Sequence, residues 1–299
     1  MKDQKDPIMN MSSSALTVTQ RALSRSLGAI LIDSGKLSVE DADRVLKLQK
    51  EESIRFGEAA LRLGLVSQED INRALARQFE YPYLLKGHGA ISEELVAAYE
   101  PHSQQVEVLR ALRSQLMLRW FEREPKQTGL AVTSYANGEG RSYIAANLAI
   151  VFSQLGERTL LIDADMRNSR QHKLFGIDNS KGLSTVLSER MGLETVKRIP
   201  DFVDLSVLAA GPTPPNPQEL LGKPIFAKVI QYISSVYDVV IVDTPATSLY
   251  ADAQVILSKI KGALVIARKH HTQIEALSEL IDEVNQLGAH AVGTVLNEF

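Results

Sequence analysis

Ala136-Asn137-Gly138-Glu139-Gly140-Arg141-Ser142 follows a short apolar run at 130–133 and precedes a helical pattern at 142–155. A strand, a glycine-rich turn and a helix in that order aim backbone N–H groups and the positive end of a helix at one point. That geometry binds phosphate oxygens. Two further segments extend the pattern to other strands. Leu160-Leu161-Ile162-Asp163-Ala164-Asp165-Met166-Arg167 ends one apolar run in carboxylates, and Val239-Val240-Ile241-Val242-Asp243-Thr244-Pro245 ends another. Carboxylates at two strand ends, with the Ser142 hydroxyl beside them, suit magnesium carried on phosphates. Gly138 and Gly140 alone would also fit an ordinary turn. The three segments together predict a nucleotide–magnesium site.

Outward from these segments, strand-type runs at 130–133, 159–162, 205–208, 239–242, 263–267 and 291–296 alternate with helical patterns at 142–155, 224–237, 251–258 and 272–287. Such alternation predicts an α/β fold, a mainly parallel sheet with helices on both faces. Ligands of these sheets lie at the carboxyl ends of the strands, where all three segments fall. An amphipathic helix at 106–121 precedes them, with Leu109, Leu112, Leu116 and Trp120 at helical spacing and Glu107, Arg110 and Arg113 beside them. Read plainly, that polar set is a solvated face with an ion pair one turn apart.

The chain has 299 residues, enough for one large domain or two ordinary ones. A net charge of −3 without a concentrated basic face gives no footprint for nucleic acid. The absence of cysteine excludes disulfides and thiolate metal sites. The polar start lacks the apolar core of a signal peptide, and no strand-like run could span a bilayer, so a cytoplasmic location is expected. Ser153, Ser169 and Ser184 lack a paired histidine and base, which argues against a hydrolytic triad. His270-His271 has no carboxylate at metal-ligand spacing.

Residues 1–20 read as a flexible tail, and 21–86 as a small, mostly helical repeat domain. Gly28 and Gly57, Gly35 and Gly64, Asp41 and Asp70, and Gln49 and Gln78 are offset by one constant interval. In each unit a short helix ends at a glycine suited to a left-handed cap, and Ser38 or Ser67 caps the next helix. Residues 87–104 read as a linker around a short helical segment, and 105–299 as the nucleotide-binding domain.

The repeat resembles the N-terminal domain of type II secretion and pilus ATPases, the MshEN type. That resemblance implies cyclic di-GMP as a ligand, with Arg55 on a phosphate; Gln78 also matches. Ser26 stands where the first unit should carry arginine, with Arg25 adjacent. A docking module whose glycines serve only turns and packing is the alternative.

Residues 105–299 resemble the bacterial tyrosine kinases that partner chain-length determinants in polysaccharide export. Asp163, Asp165 and Arg167 match their D-x-D-x-R motif, Asp243 to Pro245 their third motif, and Glu107, Arg110 and Arg113 their E-x-x-R-x-x-R oligomerisation motif. Gly211 to Leu221 is also similar. With the repeat domain, the whole chain resembles the EpsG type of exopolysaccharide clusters. The resemblance implies ATP and magnesium as cofactors, with the metal held by Ser142, Asp163 and Asp243. Asp163 is then the base for the tyrosine hydroxyl and Asp165 supports the metal shell. Arg141, with the N–H groups of 138–142, stabilises the transferred phosphoryl. The nucleotide would meet Asn137, Gly138, Glu139, Gly140, Arg141, Ser142, Tyr143, Arg167 and Asn297. Asn297 either reads adenine or forms a turn. A homo-oligomer, a membrane co-polymerase partner and attachment to the inner membrane through that partner are also implied.

Three departures stand out. Arg141 replaces the lysine of the usual phosphate loop, and a planar fork is not a point charge. Tyr135 occupies the position of the loop's first glycine. No tyrosine-rich tail follows Leu296-Asn297-Glu298-Phe299. The first and third keep open a second function, a non-catalytic nucleotide switch that controls assembly. A partitioning ATPase of the ParA/MinD type is disfavoured, because 133–140 lacks their early lysine.

Overall fold

The computed structural model describes residues 26–78, 81–87 and 89–299. The tail expected at 1–20 and Arg25 lie outside the described residues. The chain divides into two compact units, Met1–Pro82 and Tyr83–Phe299.

In the first unit the repeat is visible in the backbone. Helices α1 (Leu27–Asp33) and α3 (Phe56–Arg62) are each followed by a left-handed glycine, Gly35 at φ +69° and Gly64 at φ +66°. Helices α2 (Val39–Glu52) and α4 (Gln68–Gln78) start identically. Ser38 Oγ accepts from Asp41 N at 3.0 Å and Ser67 Oγ from Asp70 N at 3.1 Å, each satisfying an otherwise orphaned helix donor. Leu31, Val45, Ala59, Ala60 and Ile71 form this unit's own core. Ser26 caps α1 through Ala29 N, which explains a small residue at that position.

The second unit is a seven-stranded sheet in the order β3-β4-β2-β5-β1-β6-β7. Its strands are β1 (Gly129–Thr133), β2 (Thr159–Asp163), β3 (Lys197–Arg198), β4 (Leu205–Leu208), β5 (Val239–Asp243), β6 (Gly262–Arg268) and β7 (His290–Asn297). All neighbours run parallel except the two-residue edge strand β3, which pairs antiparallel to β4. Alternate strand residues fill two cores. Val132, Leu161, Ile241 and Leu264 meet the helices of one face, and Ala131, Ile162, Val242 and Val265 those of the other. Burial on both faces explains why these strands read as unbroken apolar runs rather than as alternating ones.

Of the expected helices, α7 (Arg141–Ser153), α11 (Pro224–Val236), α12 (Asp252–Ile260) and α13 (Ile274–Gln286) are present. The sequence reading omitted α8 (Gln171–Leu174), α9 (Leu183–Leu187) and α10 (Pro217–Gly222), which are too short to show a period. The helix expected at 106–121 is α6 (Gln104–Leu116) followed by a π-helical turn, Met117–Phe121. That turn buries Trp120 and Phe121 side by side.

Residues 87–104 are not a free linker. Leu95 and α5 (Val96–Tyr99) lie in the sheet's core, and Ala97 N donates to Asn147 Oδ1 on α7 at 2.9 Å. Glycine, serine and proline there serve tight turns within the domain. Among the described residues no helix is long and apolar enough to cross a membrane.

Candidate active site

β1 leads into the glycine-rich loop and then α7. Gly138 and Gly140 have φ +77° and +94°, backbone that L side chains rarely adopt. At Gly140 a Cβ would also meet the Asn297 amide, which would have to shift. Gly140 forms the first cap of α7, which places the helix's positive end at the loop.

The loop is braced by its own side chains and by those of neighbouring elements. Glu139 is buried, accepts from Ala136 N at 2.8 Å and takes the Thr272 hydroxyl on its other oxygen. Arg268 Nη1 donates to the Gly138 carbonyl at 3.2 Å, and Asn297 Nδ2 to the Glu139 carbonyl at 3.2 Å. Arg141 points inward. Its guanidinium donates to the Thr244 carbonyl at 2.9 Å, the Ala136 carbonyl at 2.7 Å, Ser134 Oγ and Asn137 Oδ1. In this structure the loop's cation ties the loop to the end of β5.

Asp163 and Asp243 end β2 and β5 as register partners, so both side chains leave the same face of the sheet. Both are buried. Asp163 Oδ2 accepts from Arg170 N at 3.0 Å and Gln171 N at 2.9 Å, and Asp243 Oδ2 from Gln171 Nε2 at 2.8 Å. Burial pushes the Asp243 carboxyl up to about 6, against the opposing pull of Gln171, Ser142 and Arg141. Asp163 is raised as well, first by burial and then by the charge of Asp243. Oδ1 of Asp163, Oδ1 of Asp243, Oε1 of Gln171 and Oγ1 of Thr133 are buried without a hydrogen-bond partner.

Unpartnered oxygens on two buried acids, both raised, suit a cation between them. Among the described residues no group of three or more His, Asp or Glu forms a metal cage. Two carboxylates and a hydroxyl instead suit magnesium, which keeps waters and phosphate oxygens in its shell. The donor set therefore fits the ion expected from the sequence.

Asp165 and Arg167 lie at the rim. Asp165 Oδ1 accepts from Arg167 N at 3.2 Å and Asn168 N at 2.8 Å, capping the turn after β2. Arg167 forms a two-pronged pair with buried Asp252 and lies 4.1 Å over the Tyr250 ring. A cavity of about 540 Å³ opens beside Gly140, lined by Tyr143, Ile144, Leu109, Leu112, Asn297 and Phe299 among others.

Residues 128–295 match the family described as an AAA domain. The tyrosine-protein kinase YwqD of Bacillus subtilis (strain 168) is 33% identical over 215 residues, covering 72% of this chain and 90% of that protein. This chain belongs to the bacterial tyrosine-protein kinase family. CapB of Staphylococcus aureus, named a putative tyrosine-protein kinase, is 32% identical over 199 residues, which cover 67% of this chain and 86% of CapB. The solved kinase domain of the Escherichia coli tyrosine kinase ETK superposes with a TM-score of 0.67 at 29% identity, covering 71% of this chain and 83% of that one.

Within the family fold, Asp163 and Asp243 are register partners, and Gln171 links Asp243 to the backbone of Ser142 at the start of α7. Glu107 pairs with Arg110 along α6, and Arg113 Nη1 donates to the Val151 carbonyl at 2.7 Å. Sequence reasoning missed Gln171, Ser134, Arg268 and Asp252. Each sits outside a motif, and only the fold brings it near. Thr244 was quoted, but nothing in sequence ties its carbonyl to Arg141.

Proposed function

We propose that the protein is an ATP-dependent protein tyrosine kinase that regulates exopolysaccharide chain length and export with a membrane chain-length determinant. The observation that carries the reading is the pair of buried carboxylates, each with an unpartnered oxygen, beside the glycine loop. Ser142 and Asp243 would hold magnesium, directly or through water, and Asp163 would join them. The ion would neutralise charge on the phosphates. Asp163 would then accept the proton of the tyrosine hydroxyl. Backbone N–H groups of 138–142 cradle the phosphates. Arg141 holds that cradle to the end of β5 and keeps a positive charge behind it. Asp165 and Arg167 order the rim, and Tyr143 and Asn297 face the cavity where the base would lie.

Labelled ATP and magnesium should place label on tyrosine, and Asp163→Ala should abolish it. ATP binding without any tyrosine label would remove the kinase reading. That result would favour the second function, a nucleotide-controlled assembly switch, which the inward guanidinium of Arg141 supports.

The finer readings rest on sequence resemblance. The EpsG type, a cytoplasmic chain held at the inner membrane through its partner, and self-association through Glu107, Arg110 and Arg113 are part of the proposal. So is an MshEN-like first unit, spanning 21–86, that takes cyclic di-GMP. Arg55, exposed at the start of α3, would meet a phosphate there. Calorimetry with cyclic di-GMP on the full chain should register heat that Arg55→Ala loses; equal heats would end that part.

A further inference from the structure

Gln171 is fully buried between the two acids and serves both. Its backbone N–H donates to Asp163 Oδ2 at 2.9 Å. Its side-chain Nε2 donates to Asp243 Oδ2 at 2.8 Å and to the Ser142 carbonyl at 3.1 Å. One residue thus ties together the ends of β2 and β5 and the first turn of α7. The oxygens it holds are the Oδ2 atoms; the Oδ1 atoms of both acids are buried without partners, as is its own Oε1.

A buried amide oxygen without a donor is costly, and so is a buried carboxylate oxygen. All three can be satisfied at once by a hydrated cation, which accepts carboxylate oxygens directly and offers water O–H groups to an amide oxygen. We propose that Gln171 is a positioning residue for the divalent cation. It fixes one oxygen of each carboxylate so that the other faces the ion, and its Oε1 accepts from a water of the ion's shell. This rests on the magnesium site proposed above. Any residue here keeps the backbone bond to Asp163, so the side chain's contribution falls on Asp243, Ser142 and the water.

Methionine at 171 keeps length and volume but removes both amide groups. Partners that orient metal ligands in this way are worth about 10–100-fold in metal affinity. The test is a titration of the full chain with manganese(II) in the presence of ADP, with free ion followed by electron paramagnetic resonance. Gln171→Met should weaken manganese binding at least tenfold, while ADP affinity in metal-free buffer stays within about twofold of the wild type. Manganese affinity unchanged in Gln171→Met, with Asp243→Asn weakened, would overturn the role of Gln171 alone. Undiminished manganese binding in both Asp163→Asn and Asp243→Asn would remove the metal site itself, and this inference with it. If Gln171→Met does not fold by circular dichroism, Gln171→Asn replaces it. Its amide is one methylene too short to reach both partners, so it should show the same loss; wild-type affinity there would overturn the proposal.

Discussion

Asp163 and Asp243 stand opposite one another as the last residues of adjacent parallel strands, both buried and both raised in pKa. Two carboxylates so placed cannot both ionise cheaply without a cation. Their separation along the chain hides this relationship, and the register of β2 on β5 creates it. A cation between them would relieve that repulsion.

The pH dependence of stability follows. Asp243 binds a proton more tightly folded, at about 6, than its ordinary value of 3.8. Such a group contributes stability fully present below its unfolded pKa, and lost as pH rises through its folded pKa. Metal-free protein should therefore melt at a higher temperature at pH 5 than at pH 7.5, and Asp243→Asn should shrink the difference, leaving the part carried by buried Asp163. Asp70 and Asp238, lowered to about 2, act in a more acidic range, whereas His172, lowered by burial, offsets part of the slope within this one. A scanning calorimetry series in chelator-treated buffer checks the slope.

Arg141 offers a sharper contrast. Lysine cannot reproduce bonds to the Thr244 and Ala136 carbonyls together with Ser134 and Asn137. Arg141→Lys should cost about 2 kcal/mol of stability, in the range for hydrogen bonds to a charged group. It should also raise the rate of tyrosine labelling, because a freed ammonium can reach the phosphates as a point charge. Denaturant unfolding and a labelled-ATP time course measure the two effects, which are expected to have opposite signs.

The pair of Arg167 and Asp252 joins the turn after β2 to the start of α12. Asp252 is almost wholly enclosed, and removing one member of a buried pair leaves the other uncompensated. Arg167→Ala, which strands the enclosed Asp252 carboxylate, should cost about 3 kcal/mol, and Asp252→Ala less, because Arg167 keeps access to water. The double variant with Arg167→Ala should cost less than the sum of the singles, since the orphaned charge is then gone. Urea midpoints for the four proteins complete the cycle.

The sheet was legible because doubly buried parallel strands leave continuous apolar runs, and the three motif ends mark where they stop. The loop was legible because L side chains rarely adopt the backbone of Gly138 and Gly140. The helix α8 and Gln171 were not, since four residues carry no period and a lone glutamine carries no chemistry until a register places it. Segment 87–104 was misread because turn residues mark any surface bend, whereas α5 is buried by contacts with α7 far along the chain. Arg141 was read from its motif position, and its direction is set by acceptors on β5 that spacing does not reveal.

Gly262 gives a test of packing remote from the site. A Cβ there would lie 2.5 Å from Trp120 Cε2 and Cζ2, at the start of β6. The indole cannot retreat freely. Its Nε1 donates to the Gly129 carbonyl at 2.8 Å, and its ring is tilted against His290 with centroids 6.0 Å apart. Gly262→Ala should therefore overpack this corner and destabilise the fold by about 1–3 kcal/mol. Trp120 is the chain's single tryptophan, so its emission reports the displacement directly. A red shift in the folded variant together with a lower denaturant midpoint is expected. An unshifted spectrum with an unchanged midpoint would mean that the π-helical turn yields without cost, contrary to the two anchors that hold the ring.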